Sequence, residues 1–204
     1  MSKRIHTVAI VGAGGMGGLF GTILSEGGLE VTLVDTNREQ IEAIRANGLR
    51  ISGFGGERTH MLPTEHDVTM VKQADIVLMQ CKGTATREAA RSMTHLADSG
   101  SIFISFQNGL GNEDILTEIL GSENVFGGLT SMAGACIGPG QYQDFGRAPC
   151  FIGEWVGGMT VRAEEIAADR EGGRNRGRAQ RKEGMNQLPA AGTALHSSPR
   201  RPSS

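Results

Sequence analysis

The chain has 204 residues, of which 38% are hydrophobic and 21% are charged, and its formal net charge at pH 7 is −2. This length fits one domain, or one domain and a fragment, and the small net charge does not indicate nucleic acid or an anionic membrane as a partner. No apolar run approaches the roughly 20 residues that cross a bilayer, and the N-terminal apolar run is too short for a signal peptide. We therefore expect a soluble, cytoplasmic protein without a membrane partner.

Cysteine and histidine spacing gives no indication of a metal site. Cys81, Cys136 and Cys150 are odd in number and lack CxxC spacing, and the five histidines include no HxxxH pair. We therefore expect neither zinc nor a disulfide framework, and a reducing compartment fits best. We interpret Cys81 as a small core residue rather than as a nucleophile.

The first 35 residues have the pattern of a strand, a glycine turn, a helix and a second strand. An apolar run at 5–11 precedes the glycine-rich turn at 12–17, and a second apolar run at 30–34 ends at Asp35. The helix between them has one apolar face at helical spacing. This face consists of Met16, Leu19, Phe20, Ile23 and Leu24.

Three glycines of this turn each fit a separate requirement of dinucleotide binding. Gly12 permits a tight turn, Gly14 lets the backbone approach a pyrophosphate, and Gly17 lets the helix pack closely on the sheet. The start of the helix offers N–H groups and the positive end of its dipole to phosphates. Asp35 lies about twenty residues farther on, where a carboxylate accepts hydrogen bonds from a ribose diol. A glycine turn without a ligand is the alternative interpretation.

Helices and strands continue to alternate beyond Asp35. In chain order we predict a helix at 37–47, a hairpin or small excursion at the sheet edge at 49–63, a strand at 74–82, a helix at 84–97, a strand at 101–106, a helix after the turn at 107–112, a continuation of the sheet at 125–126 and 129–137, and an antiparallel pair at 142–152. This alternation predicts an α/β fold of the Rossmann type, with a doubly wound, mostly parallel sheet and helices on both faces. Ligands of such sheets bind at the carboxyl ends of the strands, where Lys82 and the turn at 107–112 also lie.

Four motifs at these strand ends resemble the ketopantoate reductase (2-dehydropantoate 2-reductase) family. They are IVGAGGMG at 10–17 with LFG at 19–21, VLMQCKGT at 77–84, QNGLGNE at 107–113, and GLTS at 128–131 with GA at 134–135. Many dehydrogenases share the glycine turn, whereas the strand-end lysine and the QNGLGN turn are more specific. The resemblance covers about residues 5–168.

The resemblance implies that a nicotinamide cofactor reduces the keto group of 2-dehydropantoate, a small 2-keto acid, on the route to pantothenate. It implies that the pyrophosphate is held by Gly12, Ala13, Gly14, Gly15, Met16 and Gly17. Lys82 would lie near the adenosine or phosphate end, Asn108 would contact both nicotinamide ribose and substrate, and Ala135 would line the nicotinamide pocket. A solvated charge at Lys82 and a simple turn at Asn108 are the alternatives. A homodimer is left open.

The choice between NADP and NAD has two opposing indications. Asp35 would accept a hydrogen bond from a 2′-hydroxyl and repel a 2′-phosphate, which favours NAD. The family more often uses NADP with a basic residue near this turn, and Arg38 is close enough in sequence to serve. We expect NADP on the resemblance.

The end of the chain departs from the family pattern. We divide the chain into a cofactor domain at 1–168, which includes the start of a linking helix at 159–168, and a tail at 169–204 that we expect to be disordered and non-homologous. The tail has eight basic and three acidic residues, a net charge of +5. The family's proton donor is a lysine in a second, helical domain, which we expect to be missing here, and nothing around Lys182 matches that domain.

Other functions are consistent with some of these sequence features. A non-catalytic nucleotide-binding fragment would have the same glycine turn, as would a different 2-keto or 3-hydroxy acid dehydrogenase. Nucleic-acid binding through the basic tail is disfavoured, because the tail has no aromatic residue for base stacking and no known module.

Overall fold

The structure, a computed structural model, describes residues 5–156, Ala163, Ile166 and the backbone of 186–188. Within these residues it contains twelve strands and five helices. The strands are β1 Thr7–Val11, β2 Glu30–Val34, β3 Leu49–Gly53, β4 Arg58–His60, β5 Thr64–Glu65, β6 Ile76–Met79, β7 Ile102–Ser105, β8 Val125–Thr130, β9 Gly134–Gly138, β10 Gln141–Asp144, β11 Cys150–Glu154 and β12 Asn186–Leu188. The helices are α1 Gly15–Glu26, α2 Arg38–Asn47, α3 Thr86–Arg91, α4 Thr94–Asp98 and α5 Asn112–Leu120.

Eight strands form the main sheet, in the order β12-β11-β8-β7-β6-β1-β2-β5. The strands from β8 to β5 are parallel to their neighbours, whereas β11 pairs antiparallel with β8 and β12 pairs antiparallel with β11. The chain adds β2 on one side of β1 and later returns to add β6 on the other side, so the strand order reverses at β1. Ligands of open α/β sheets bind in the crevice at such a reversal.

Each face of the main sheet has its own covering layer. On one face, Val77 and Phe103 belong to a buried cluster that includes residues of the α3, α4 and α5 region. On the other face, Leu19 of α1 and Tyr142 of β10 belong to a second buried cluster, so α1 lies between the main sheet and a second sheet. The predicted α/β sheet with helices on both faces is confirmed.

The second sheet has four strands in the order β4-β3-β10-β9. The hairpin predicted at 49–63 forms β3 and β4, but it belongs to this second sheet. Two predictions are wrong: the run 129–137 leaves the main sheet after β8, and 142–152 does not form one antiparallel pair. Instead β10 pairs with β9, and β11 returns to β8. The small residues Gly134 and Ala135 allow β9 to lie directly against the start of α1, outside the plane of the main sheet.

The helix predicted at 84–97 is interrupted. It is divided into a 3₁₀ turn at Gly83–Ala85 followed by α3 and α4. At the break, the Ser92 N–H is shared between the carbonyls of Glu88 and Ala89, and the Ser92 hydroxyl donates to the Glu88 carbonyl at 3.2 Å. Such back-bonding competes with the bonds of the helix itself and bends it. Ala90, Met93 and Leu96 of this segment are buried, and Ala89 is half-buried against the same cluster.

Only part of the chain after β11 is described. Within the linking helix predicted at 159–168, Ala163 and Ile166 have helical backbone and are buried against the cluster around α1. Within the tail at 169–204, residues 186–188 form β12, which the expectation of a disordered tail did not include. The remaining residues of both ranges lie outside the described residues. In the described part of the chain, no helix has the length and apolar character that crossing a bilayer requires.

Candidate functional site

The glycine turn after β1 lies between the ends of β2 and β6. The Gly12 N–H donates to the Val34 carbonyl at 2.8 Å, and a Cβ on Gly12 would lie 2.5 Å from the backbone of Gln80 and Cys81. The φ angle of Gly12 is 109°, in the left-handed region that glycine adopts without a steric penalty. This position therefore requires glycine for both its conformation and its close contacts.

Gly14 and Gly17 lie at the start of α1 in opposite surroundings. Gly14 is the N-cap without a side-chain cap, and a Cβ there would meet no atom within 4 Å. A Cβ on Gly17 would overlap the Gly12 carbonyl oxygen, so the helix rests directly on the turn. The first N–H groups of a helix have no acceptor within it. The open space at Gly14 therefore gives them a cradle that fits an anion such as a pyrophosphate.

Asp35 follows β2, and backbone groups fix its half-buried carboxylate. Oδ2 accepts from the Ala13 N–H at 2.7 Å, and Oδ1 accepts from the Asn37 N–H at 2.9 Å. Each carboxylate oxygen can accept a further hydrogen bond, so a ligand could be bound without reorienting the group. The N–H of buried Ala13 is thereby directed to Asp35. Arg38, the first residue of α2, is exposed close to this carboxylate in sequence.

Two side chains that the sequence did not indicate hold the Ala13 carbonyl. The Tyr142 hydroxyl donates to this oxygen at 2.7 Å and Gln40 Nε2 at 3.3 Å, and Gln40 Nε2 also bonds the Tyr142 hydroxyl. Burial raises the pKa of Tyr142, so its hydroxyl keeps its proton at neutral pH. Because Tyr142 lies 129 residues from Ala13, no local spacing indicates the contact. The one available signal is that Tyr142 is the only tyrosine of the chain.

The second sheet brings Ala135 to the start of α1. A Cβ on Gly15 would lie 2.8 Å from the Ala135 Cα, so β9 and the helix are in direct contact. The Met16 side chain packs against the core, which leaves its backbone as the part that a ligand at the turn could use. The structure thus brings both Asp35 and Ala135 into contact with the turn at 12–17.

Lys82 and Asn108 follow two neighbouring strands of the main sheet. Met79 of β6 is in register with Ser105 of β7, and each of the two residues lies three positions beyond its member of that pair. Both residues are exposed. Among the described residues, neither side chain has a hydrogen-bond or ion-pair partner. Because β1, β6 and β7 are parallel neighbours, both residues lie at the same edge of the sheet as the glycine turn. Their exposed side chains are free to contact a ligand there.

Cys81 lies beside the turn but lacks the properties of a nucleophile. It is half-buried against the cluster of the α3–α5 face, and burial raises the pKa of its thiol. A thiol with a raised pKa is little ionised at neutral pH, and the thiolate is the reactive form. In the part of the chain that the structure describes, no group of three or more His, Cys, Asp or Glu residues is placed to hold a metal ion.

Sequence comparison identifies relatives of this chain. The family profile described as ketopantoate reductase PanE/ApbA matches residues 8–157. The chain is 30% identical over 162 residues to the 2-dehydropantoate 2-reductase of Lactococcus lactis subsp. lactis (strain IL1403), an alignment that covers 78% of this chain and 52% of the relative. It is 32% identical over 162 residues to the 2-dehydropantoate 2-reductase of Halobacterium salinarum, covering 79% and 53%. The chain spans about half the length of the curated relatives it matches.

Solved structures share the architecture. The 2-dehydropantoate 2-reductase of Geobacter metallireducens GS-15 has a TM-score of 0.72 and 30% identity, over 80% of this chain and 54% of that one. The ternary structure of D-mandelate dehydrogenase with NADH and anilino(oxo)acetate has a TM-score of 0.73 and 28% identity, over 80% and 53%. By its sequence profile and its identity to these relatives, the chain belongs to the ketopantoate reductase PanE/ApbA family.

Proposed function

We propose that this chain binds a nicotinamide dinucleotide in the crevice at the glycine turn and presents it for reduction of 2-dehydropantoate to pantoate. The observation that carries the proposal is the open cradle at Gly14, where α1 begins without a side-chain cap and a Cβ would find no neighbour. The proposed reaction is inferred from the relatives, which are named 2-dehydropantoate 2-reductases. Because this chain spans only about half the length of those relatives, their complete reaction is proposed for it rather than assigned to it.

The turn residues have separate roles in this proposal. The backbone N–H groups of Gly14, Gly15, Met16 and Gly17 hold the pyrophosphate, because they start the helix. Gly12 makes the turn. Ala13 shapes it, since its N–H donates to Asp35 and its carbonyl accepts from Tyr142. This assignment refines the sequence interpretation, in which Ala13 also bound the pyrophosphate.

Three further residues position the rest of the ligand, namely Lys82 and Asn108 after two neighbouring strands of the main sheet and Ala135 in β9 of the second sheet. The bound nicotinamide would supply the hydride. The Asn108 amide donates and accepts at once, so it can bridge a ribose hydroxyl and a substrate oxygen. Lys82 offers a point charge to a phosphate. Ala135 limits the crevice beside the start of α1, close to where the nicotinamide would lie. As hydride reaches the substrate, charge develops on the keto oxygen and a proton donor is needed.

The described residues contain two lysines, Lys72 and Lys82. Lys72 Nζ lies 3.5 Å from the Thr69 carbonyl on the surface. Lys82 serves the cofactor in this proposal. We therefore propose that the described half of the site positions cofactor and substrate, and that the donor lysine is not among its residues. A homodimer stays a prediction.

For the cofactor, we propose NADPH on the family resemblance, with Arg38 as the cation for the 2′-phosphate. The alternative is NADH, which a specific observation favours. The Asp35 carboxylate is fixed by two N–H groups at the end of β2, where it would accept from a 2′-hydroxyl and repel a phosphate.

Two further functions stay as alternatives. A non-catalytic nucleotide-binding protein would need the same crevice. A different 2-keto acid substrate is favoured by the likeness to D-mandelate dehydrogenase, whose structure holds anilino(oxo)acetate.

A cofactor titration tests the binding proposal. Fluorescence titration with NADPH and with NADH should show saturable binding of at least one of them. In Gly14→Ala the Cβ fills the cradle, and we expect the dissociation constant to rise at least about tenfold, since about 1.4 kcal/mol is a small part of a pyrophosphate interaction. Gly138→Ala is the control, because its Cβ would meet only the Gln141 side chain, at 3.4 Å or more. Wild-type protein that binds neither nucleotide, or Gly14→Ala that binds like wild type, would refute the proposal.

A further inference from the structure

Side chains connect the two turns that carry Lys82 and Asn108. The Gln107 Nε2 donates to the Thr86 hydroxyl at 2.8 Å, and the Thr86 hydroxyl donates to Asn112 Oδ1 at 3.1 Å. The Asn112 Nδ2 then donates to the Asn108 carbonyl at 3.2 Å. We propose that Thr86 and Asn112 are positioning residues, which fix the spacing between Lys82 and Asn108 for binding of the dinucleotide. The inference rests on the proposed function.

The direction of this hydrogen-bond chain is determined at both ends. Gln107 Nε2 lies 2.8 Å from the Cys81 carbonyl, which can only accept, so the amide nitrogen must be there. The Asn108 carbonyl likewise requires the nitrogen of the Asn112 amide. Thr86 has one hydroxyl proton, and because Gln107 donates to its oxygen, that proton is directed to Asn112. Reversing any one group would place two donors or two acceptors together.

The two proposed positioning residues are buried, whereas Lys82 and Asn108 are exposed. Thr86 is fully buried and Asn112 is 5% exposed. The turn after Lys82 packs directly on Asn112, since a Cβ on Gly83 would lie 3.0 Å from Asn112 Oδ1. In a buried site of low dielectric, the hydrogen bonds of Thr86 and Asn112 hold these two side chains firmly, and losing one of the bonds is costly.

No described residue holds the side chains of Lys82 or Asn108 directly. Their positions therefore depend on the backbone of their turns. The Asn108 carbonyl is bonded to Asn112, and Lys82 immediately precedes the Gly83–Ala85 turn that packs on the same side chain. A change at Thr86 or Asn112 therefore changes the spacing between the two exposed groups, without a contact between either buried residue and the ligand.

Three variants separate positioning from folding. Thr86→Val keeps the shape of the side chain but removes the hydroxyl, and Thr86→Ser restores the hydroxyl. Asn112→Asp still accepts from Thr86 but cannot donate to the Asn108 carbonyl, and a carboxylate at the first position of α5 suits the helix dipole. We expect the dissociation constant of the better-bound nucleotide, NADPH or NADH, to rise about five- to tenfold in Thr86→Val and Asn112→Asp, the effect of about one hydrogen bond. Thr86→Ser should stay within about twofold of wild type.

A double-mutant cycle supplies the readout that a purely structural role would not change. If Thr86 acts through Lys82, Thr86→Val should have a smaller effect on nucleotide affinity in a Lys82→Ala background than in wild type. Equal effects in both backgrounds, or unchanged affinity in Thr86→Val, would overturn the inference. If Thr86→Val does not fold, Asn112→Asp decides by the same cycle with Lys82→Ala. Failure of wild type to bind any nucleotide would instead refute the proposed function.

Discussion

Asp35 is the residue at which cofactor choice can be tested most directly. Its carboxylate is fixed by the N–H groups of Ala13 and Asn37, so it cannot turn away from an arriving 2′-phosphate without losing those bonds. Like charges brought together in this way repel each other by several kcal/mol when they are poorly solvated. The same carboxylate would strengthen binding of a free 2′-hydroxyl.

We predict that Asp35→Asn shifts the ratio of the NADPH and NADH dissociation constants about tenfold in favour of NADPH, because the repulsion is removed and a charged acceptor is lost. Paired fluorescence titrations with the two nucleotides measure this ratio. Glu42→Gln is the control, since Glu42 is exposed on α2 and pairs with Arg45. Loss of NADPH binding alone in Arg38→Ala would identify Arg38 as the phosphate cation, and an unchanged ratio in Asp35→Asn would contradict the prediction.

At this scale, the sequence indicates residues whose role follows from their place beside a strand. The positions of Gly12, Asp35 and Lys82 after parallel strands, where ligands of such sheets bind, are predicted in this way. Gln40 and Tyr142 are not recognised. Their contacts join the glycine turn to a strand more than a hundred residues away, and nothing in the local pattern of either segment indicates that partner.

At the scale of elements, periodicity predicts single helices and strands but not which strands pair. α1 and α5 are predicted from one apolar face each, and β1, β2, β6 and β7 from short apolar runs. The alternation of β10 is equally readable, but its pairing with β3 closes a loop of about ninety residues. Such non-local pairing depends on packing against α1, which the sequence of either strand does not contain.

An ion cluster holds the second sheet to the C-terminal end of α1. Arg147 lies 2.9 Å from Asp144 and 3.9 Å from Glu26, the last residue of α1, and Arg58 lies 3.4 Å from Glu26 and 3.5 Å from Asp144. His60 Nε2 lies 3.4 Å from Glu26 Oε1, the oxygen that Arg58 also contacts. The Asp144 side chain is fully buried, and burial lowers the pKa of Arg147. Charges buried in this way stabilise the fold only while they remain paired.

We predict that Asp144→Asn lowers the free energy of unfolding by about 3 kcal/mol, because it leaves Arg147 and Arg58 with Glu26 as their remaining carboxylate. Urea denaturation measures the change. The control is Glu118→Gln, which removes an exposed ion pair with Arg87 that solvent screens, and it should leave the denaturation midpoint nearly unchanged. Equal midpoints for Asp144→Asn and wild type would show that the cluster does not hold the second sheet.

At the scale of the whole molecule, the proposed division of the site has a kinetic consequence. In the proposal, the described residues position the dinucleotide, and the donor lysine is not among them. A complete enzyme commonly turns over at about 1–10³ per second. Loss of a general acid typically lowers the rate by about 10²–10⁴.

We therefore predict that the 204-residue chain binds nucleotide but oxidises NADPH or NADH with 2-dehydropantoate far below about 1 per second. Steady-state absorbance at 340 nm measures the rate, with Gly14→Ala as the background control. Turnover in the ordinary range would show that the chain has its own donor. Nucleotide binding without any turnover for several 2-keto acids would favour the non-catalytic alternative.

The glycines of α1 also affect when the proposed nucleotide site can form. Four of the twelve residues of α1 are glycines, and each weakens an isolated helix by about 1 kcal/mol relative to alanine. Gly17 fits against the turn after β1, whereas Gly18 fits against the ring of Tyr142, so the helix is supported from both sides. We therefore expect that, during synthesis, α1 and the glycine turn reach their final arrangement only after Tyr142 has left the ribosome. Acquisition of nucleotide binding would then report that the whole cofactor half has folded, rather than only its first strand and helix.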